Sequence, residues 1–569
     1  MARQAGTDAA SALLGAGLMD EDAYYRALAW ELGVPFLDGE IPLGWPLRYP
    51  ACLQAGIAPL APGLGAVAAP RGEIIATLLV GAGGSALPAI TTPSRLRRAV
   101  YAAIPGTVAA RAARGSHDPR RAPWLASHRL MVLALMLAAC LGLVAALPAP
   151  AAVAMAWAAQ ILCLAVMMFR AAAPVIPPPR DAAPPLPDAA LPVYTVLVAL
   201  YREAAVVPRL IPALAALDYP AAKLDIKLLI EADDPETADA LASIPLPARF
   251  EVVTVPPGTP RTKPRALNAA LPLARGSLLV VFDAEDVPAR DQLRRAAARF
   301  AHEPTLACLQ GRLVIDNHEG RLPRFFALEY TGLFDVLNPA LAALGMPIPL
   351  GGSSTHVRTD VLRRLNGWDV ATVTEDAELG LRLALAGERV GDLPSETWEE
   401  APVRLEAWLR QRSRWMKGFL QTSLIHGRHP VAVLARLGPL RTLCALALVP
   451  GTVLSALAYP VCCLLAVIAV PAGWIAVSPS PLDNLGLGLA ATVFLVGLVV
   501  MGGPAICGCR RRQWPHLWGY VTLLPLYYLL VSLAAWMAVV EFVRAPDHWN
   551  KTEHGLSRTS RSGRLRRVC

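Results

Sequence analysis

The sequence predicts an α/β fold: a parallel sheet set between membrane-spanning helices, with a small α+β unit ahead of it. Three observations predict this. Short apolar runs alternate with helical patterns between residues 193 and 430, the signature of strands buried on both faces of a helix-covered parallel sheet. Apolar stretches of the roughly 20 residues needed to cross a bilayer lie on either side of that block. Residues 1–115 form a soluble, amphipathic stretch before the first of them.

Taken in order, "GLMDEDAYYRALAWELGVPFLD" reads as an amphipathic helix, "GEIIATLLV" as a strand and "TPSRLRRAVYAAI" as a helix. Two membrane helices are expected within 128–170, at 130–147 and 151–169, joined by the hairpin "LPAP". The run "PVIPPPRDAAPPLPDAALP" makes 171–192 a stiff linker. Strands follow at "VYTVLVAL", "DIKLLIE", "FEVVTV" and "SLLVVF", with helices at "VPRLIPALAAL" and "RALNAALPLA". Residues 431–545 hold three or four further membrane or interfacial helices, at 442–477 (broken by Pro450 and Pro460), 485–506 and 517–543, and 546–569 form a basic tail.

Composition excludes several classes. Hydrophobic residues make up 55% of the 569, and the formal net charge is +9. The basic excess sits beside apolar spans, in "RRAPWLASHR", "CRRRQ" and "SRTSRSGRLRR", as on the cytoplasmic side of a membrane. No nucleic-acid motif accompanies it, so nucleic acid is not an expected partner and membrane lipid is. Ten cysteines without a CxxC pair suggest neither a zinc site nor a disulfide framework. "MARQAGTDAASALL" lacks the apolar core of a secretory signal.

Acidic clusters follow the predicted strands, and parallel sheets bind ligands at those carboxyl ends. In "LIEADDPET", Glu231, Asp233 and Asp234 can accept from a nucleobase or ribose, or form a solvated turn. In "VVFDAEDVP", Asp283, Glu285 and Asp286 repel one another, and a divalent cation completed by water and substrate phosphate would relieve them. A helix cap would use one acid, not three. Lys263 in "TKPRALN" can pair with a phosphate, and Gly351 and Gly352 in "PLGGSSTHVR" permit close backbone approach. In "VTEDAELGLRL", Thr374 can cap a helix with Glu375 and Asp376 in its first turn, or Asp376 can be a general base. In "EAWLRQRSRWMKGFL", Gln411, Arg414 and Trp415 share one helical face, suited to a phosphate and a sugar ring; the same basic helix could instead lie on anionic headgroups.

In this order the motifs of residues 190–555 resemble the membrane-integrated glycosyltransferase family 2 enzymes, which include cellulose, hyaluronan and poly-N-acetylglucosamine synthases. "DAED" is similar to the family's DxD metal motif, "TED" to the segment carrying its base, "QRSRW" to its QxxRW signature and "WNKTEHG" to a segment after the last span. The resemblance implies a GT-A-like, Rossmann-like cytoplasmic domain in the bacterial inner membrane. It implies an inverting hexosyltransferase that uses a nucleotide-sugar, a UDP-sugar above others, and Mg2+ or Mn2+. Asp376 and Glu375 would be catalytic. Glu203, Glu231, Asp234, Lys263, Asp283 and Arg414 would bind the donor, Gln411 and Trp415 the acceptor, and Asp283, Glu285 and Asp286 the metal. The implied product is a growing polysaccharide exported across the membrane. The competing expectations are a non-processive enzyme acting on a lipid carrier, and an inactive receptor or signalling scaffold. Residues 1–115 resemble the N-terminal domain of type II secretion ATPases, some of which bind cyclic di-GMP. Asp8–Ala9–Ala10 and Glu31 depart from that binding motif, which favours an export or docking partner over the nucleotide.

Overall fold

The computed structural model describes residues 2–80, 87–114, 148–179, 183–469 and 481–545. The expected span at 130–147, the basic tail and "WNKTEHG" lie outside the described residues.

One sheet of eight strands organises the catalytic block. In chain order these are β1 (Tyr194–Leu200), β2 (Leu224–Glu231), β3 (Phe250–Val255), β4 (Leu278–Phe282), β5 (Val287–Pro288), β6 (Leu306–Ile315), β7 (Thr355–Arg358) and β8 (Arg389–Glu399). Their spatial order is β3-β2-β1-β4-β7-β6-β8-β5. The first four are parallel, but β7 runs antiparallel to both β4 and β6, so the sheet is mixed rather than parallel throughout. Every residue of β2 and β4 is buried, which is why β4 reads as an unbroken apolar run. The chain reverses its winding between β1 and β4, and the crevice at such a switch point is where open α/β sheets bind ligands.

β2 also buries Asp225 and Lys227, two residues apart and so on one face of the sheet. Lys227 Nζ meets Asp225 at 3.1 Å and Glu251 of β3 at 2.7 Å, and Arg275 meets Asp225 at 3.0 Å. Burial works against the Glu251 charge, yet Lys227 and Arg97 hold its pKa down to about 2. Arg97 comes from the N-terminal unit, 2.7 Å from Glu251.

That unit contains a three-stranded sheet and short helices. Asp20 caps the Glu21–Glu31 helix through Asp22 N and Ala23 N, and Thr92 caps Pro93–Ala103 through Arg95 N, with proline at the start. "GEIIATLLV" is not a strand: Glu73–Val80 is helical. A short unbroken apolar run does not distinguish the two by periodicity. The unit packs on its own catalytic block. Tyr101 Oη donates to Ala269 O (2.8 Å), and Asn268 Nδ2 donates to Ala112 O (3.2 Å).

Among the described residues four helices are long and apolar enough to cross a membrane, Val153–Val175, Pro430–Leu448, Asn484–Arg512 and Leu524–Arg544, and a shorter apolar helix covers Pro450–Leu465. A glycine contact locks one of them to the catalytic block. A Cβ on Gly508 would lie 2.6 Å from Thr331 O of the Arg321–Gly332 helix, so that helix crosses here with backbone against backbone. The "CRRRQ" cluster also faces protein. Arg512 pairs with Asp335 and, at 3.0 Å, with Glu396.

Candidate active site

The carboxyl ends of β1, β2 and β4 open into a cavity of about 930 Å³. Asp283 and Glu285 line it from the turn after β4, Lys263 from the first turn of the Lys263–Ala270 helix, and Glu375 and Asp376 from the first turn of the Glu375–Leu385 helix. Glu203, Glu231, Gly351, Gly352, Gln411, Arg414 and Trp415 also line it. Gly352 sits where the charges converge: a Cβ there would lie 3.1 Å from Asp376 Oδ2, 3.7 Å from Asp283 Oδ2 and 3.8 Å from Lys263 Nζ. Lys263 donates to Asp283 and to Gly352 O (2.8 Å). Burial disfavours its charge, but Asp283, Glu375 and Asp376 outweigh that and raise its pKa above the usual lysine value.

Glu375 is buried at the cavity wall, and Asp376 is half-buried there. Burial and the Asp376 charge push Glu375 up to about 7, against the pull of Lys263. Burial raises Asp376 as well, opposed by the Ala377 N–H, Lys263 and Arg414. The two titrate as a pair. A general base works only when ionised, so lowering the pH through this range protonates the pair and removes activity. In a pH series, kcat/KM should rise with pH, stand at about half its maximum near pH 7 and level off about one unit above it. A profile flat from pH 5 upward contradicts this account.

Four sequence-predicted residues are placed differently. Asp286 is 2% exposed and does not line the cavity. Its Oδ2 accepts from Asp283 N (2.8 Å) and Ser353 Oγ, which braces the turn, while its Oδ1 is buried without a partner. Asp234 is buried as the cap of the Pro235–Ala242 helix, accepting from Thr237 N (3.2 Å) and Arg202 N (2.5 Å), away from the cavity. Glu231 reaches the cavity but is held by the fully buried Arg265, which burial of a carboxylate requires. Thr374 stands at the helix start without a capping bond. Its Oγ1 is buried and unpartnered, pressed against Gly418.

The Leu405–His426 helix positions this whole segment. Arg414 Nη1 donates to Val373 O (3.2 Å) and Gln421 Oε1 accepts from Val373 N (3.0 Å), so one helix face holds the residue just before "TED". Gln411 Oε1 and Arg414 Nε are buried without partners beside the cavity. Trp415 stacks on Tyr330, with centroids 6.4 Å apart, and tilts against Phe326 at 5.8 Å. The helix's positive charges mostly face protein. Arg412 grips Glu329 with two bonds, 2.7 and 2.5 Å, and its guanidinium lies 4.6 Å from the Trp415 ring centre. Lys417 is buried, donating to Ala545 O (3.4 Å) with Glu541 at 3.9 Å. Arg412 also reaches Tyr527 (3.3 Å), so both ends of the Leu524–Arg544 helix are tied to this one. Removing one partner of a buried pair costs about 3 kcal/mol, at the low end of the usual range because Glu329 keeps 26% exposure. Arg412→Ala should therefore lower thermal stability by that amount in nanodiscs, while Arg414→Ala leaves stability near wild type and lowers turnover.

Sequence reasoning missed Glu399, Glu329 and Gly418. Glu399, at the end of β8, lines the cavity, and its Oε2 is buried without a partner. Burial and the charges of Asp286, Glu285 and Asp283 raise its pKa well above the carboxylate range. The "TWEE" run was the available signal. Among the described residues no three His, Cys, Asp or Glu side chains form a ready-made metal site. The acidic surplus nonetheless fits a divalent cation held by Asp283 and Glu285 and completed by substrate phosphate.

Comparison with known proteins decides the class of the domain. The family pattern described as glycosyl transferase family 2 matches residues 195–343, and that described as glycosyl transferase family group 2 matches 278–479. Residues 195–479 are a family 2 glycosyltransferase domain. Its mixed sheet and surrounding helices form the GT-A-like fold. A probable glycosyltransferase of Bacillus subtilis is 27% identical over 233 residues, 40% of this chain and 55% of that one. A beta-monoglucosyldiacylglycerol synthase of Synechocystis is 28% identical over 243 residues, 42% of this chain and 50% of that one. A poly-beta-1,6-N-acetyl-D-glucosamine synthase of Staphylococcus aureus is 25% identical over 225 residues, 39% of this chain and 54% of that one. The chain spans about half the length of these curated relatives. Among solved structures, a mannosyltransferase from Pyrobaculum calidifontis in complex with GDP-Man and Mn2+ aligns at 21% identity and a TM-score of 0.42, covering 65% of this chain and 98% of that one.

Proposed function

We propose that the protein is an inverting glycosyltransferase of the bacterial inner membrane that moves a hexose from a nucleotide-sugar to a hydroxyl of a membrane lipid. One observation carries the reading: a single cavity joins the acidic site at the sheet to walls made by the apolar helices. An acceptor held by those walls reaches Asp376 from the bilayer. Asp376 takes the proton from the acceptor hydroxyl; the oxygen bonds to the anomeric carbon as the bond to the diphosphate breaks on the opposite face. Lys263 and Arg414 meet the charge on the leaving diphosphate. Asp283 and Glu285 would hold the Mg2+ or Mn2+, which supplies further positive charge there. Glu203 and Glu231 line the donor side, and a UDP-sugar is the donor to test first. A growing polysaccharide exported through the helices is the second reading. It is supported by Trp415, an aromatic plane of the kind that holds sugar rings, lining the same cavity.

The test is product partition. Purified protein in nanodiscs with labelled nucleotide-sugar should give label in the organic phase as a small glycolipid. Label in a large water-soluble product supports the polymer. Chelator or Asp283→Ala should remove at least nine-tenths of product in either case, and full activity in excess chelator contradicts the cation's role.

A further inference from the structure

The membrane half of the cavity differs in chemistry from the sheet half. Met167, Leu448, Val493, Phe494, Leu498 and Met501 make its wall aliphatic and aromatic. Within it stands a polar island: Arg170, Thr452, Ser455, Tyr459 and Tyr528. The hydroxyls of three of these already serve the protein. Thr452 donates to Leu448 O (2.8 Å), Ser455 to Thr452 O (3.0 Å) and Tyr459 to Pro525 O (3.1 Å). Arg170 stands apart. It lies in the last turn of the Ala149–Ala172 helix, and its Nη2 donates to Thr452 Oγ1 (3.1 Å). Among the described residues no carboxylate pairs with it. A guanidinium offers five N–H donors in a rigid fork suited to phosphate. A charge within a membrane segment, facing a cavity and lacking a counter-charge, is costly unless a ligand supplies one. Arginines at helix ends often reach past the span to headgroups instead, but this one lines the same cavity as Asp376 and Trp415.

We propose that Arg170, oriented by Thr452, is the seat for the phosphate of the acceptor lipid. The acceptor is then an amphipathic molecule with three parts: a hydrocarbon chain along the aliphatic wall, a phosphate on Arg170, and a hydroxyl headgroup at Asp376. This rests on the lipid-acceptor reading above and narrows it to anionic lipids. Two sources share that chemistry, a phosphatidyl lipid with a hydroxylated headgroup and a prenyl-phosphate-linked saccharide. The aliphatic wall also sets this site apart from a sugar-chain channel, whose wall would need unsatisfied hydroxyls or stacked rings along its length.

The experiment uses full-length protein in nanodiscs of phosphatidylcholine doped with phosphatidylglycerol, with a prenyl-phosphate-linked sugar, or with diacylglycerol. Wild type should glycosylate one of the two phosphate lipids in preference to diacylglycerol. Arg170→Gln should raise the KM for that lipid by about tenfold, the loss of one charge-assisted contact, while nucleotide diphosphate binding measured by calorimetry stays at the wild-type value. Arg170→Lys should lie between, and Thr452→Val should share the effect in weaker form. Equal KM in wild type and Arg170→Gln overturns the phosphate seat but leaves the lipid-acceptor reading standing. Preference for diacylglycerol does the same. No organic-soluble product from any lipid, with polymer formed instead, overturns both. If Arg170→Gln does not insert, the Thr452→Val and Arg170→Lys values decide the outcome.

Discussion

Asp376→Asn should abolish sugar transfer while leaving nucleotide-sugar binding nearly intact. The substitution keeps the shape and the bond from Ala377 N to Oδ1, 2.8 Å in the wild type, but removes the group that takes the proton. Loss of a general base costs on the order of 10²–10⁴ in rate. The neighbouring Glu375 does not replace it in this account, because it is Asp376 Oδ2 that faces Gly352, where Asp283 and Lys263 converge. Single-turnover transfer and donor calorimetry on the same preparation check both halves. Near-normal transfer would return "TED" to a structural helix start. Loss of donor binding would instead make Asp376 part of the donor pocket.

Gly418→Ala should cost about a hundredfold in turnover, although the residue does not line the cavity. A Cβ there would meet Thr374 Oγ1 at 2.1 Å, its Cγ2 at 2.5 Å and its Cβ at 2.7 Å, all far inside contact distance. Neither side yields easily. The helix bearing Gly418 is anchored through Arg412 to Glu329 and through the fully buried Trp408. Thr374 follows Val373, whose N–H and C=O are both bonded to that helix. The clash must therefore move Thr374, and with it Glu375 and Asp376. A displacement of about 1 Å at a reacting group can lower rate by roughly 10². The measurement is kcat beside thermal stability. A large fall in stability with proportionate loss of activity would make Gly418 a packing residue only.

What was legible in the sequence followed strand ends. Asp283, Lys263 and Asp376 lie at the ends or starts of short regular elements, and in an α/β sheet those points gather at one edge, so their convergence could be read without contacts. The division of labour within each cluster could not. Asp283 and Asp286 are three residues apart in one turn, yet only the first faces the cavity, because Ser353 from a distant loop captures the second. The signature's two arginines look alike as text. Both line the cavity, but Glu329, 83 residues away, takes up the fork of Arg412 with two bonds, while Arg414 makes one bond, to Val373 O. The mixed sheet was hidden for the same reason: β7 is four residues long and carries no sign of its direction. Glu73–Val80 misled because its apolar run satisfies either period.

The central claim is that this one cavity performs inverting transfer from a nucleotide-sugar. The anomeric configuration of the product tests it most directly. Purified protein in nanodiscs is supplied with Mg2+ or Mn2+ and α-linked nucleotide-sugars, and the new glycosidic bond is read by NMR. The account predicts a β-linked product, released with one nucleotide diphosphate per bond formed and absent in Asp376→Asn. An α-linked product, or no nucleotide diphosphate from any donor, would contradict it.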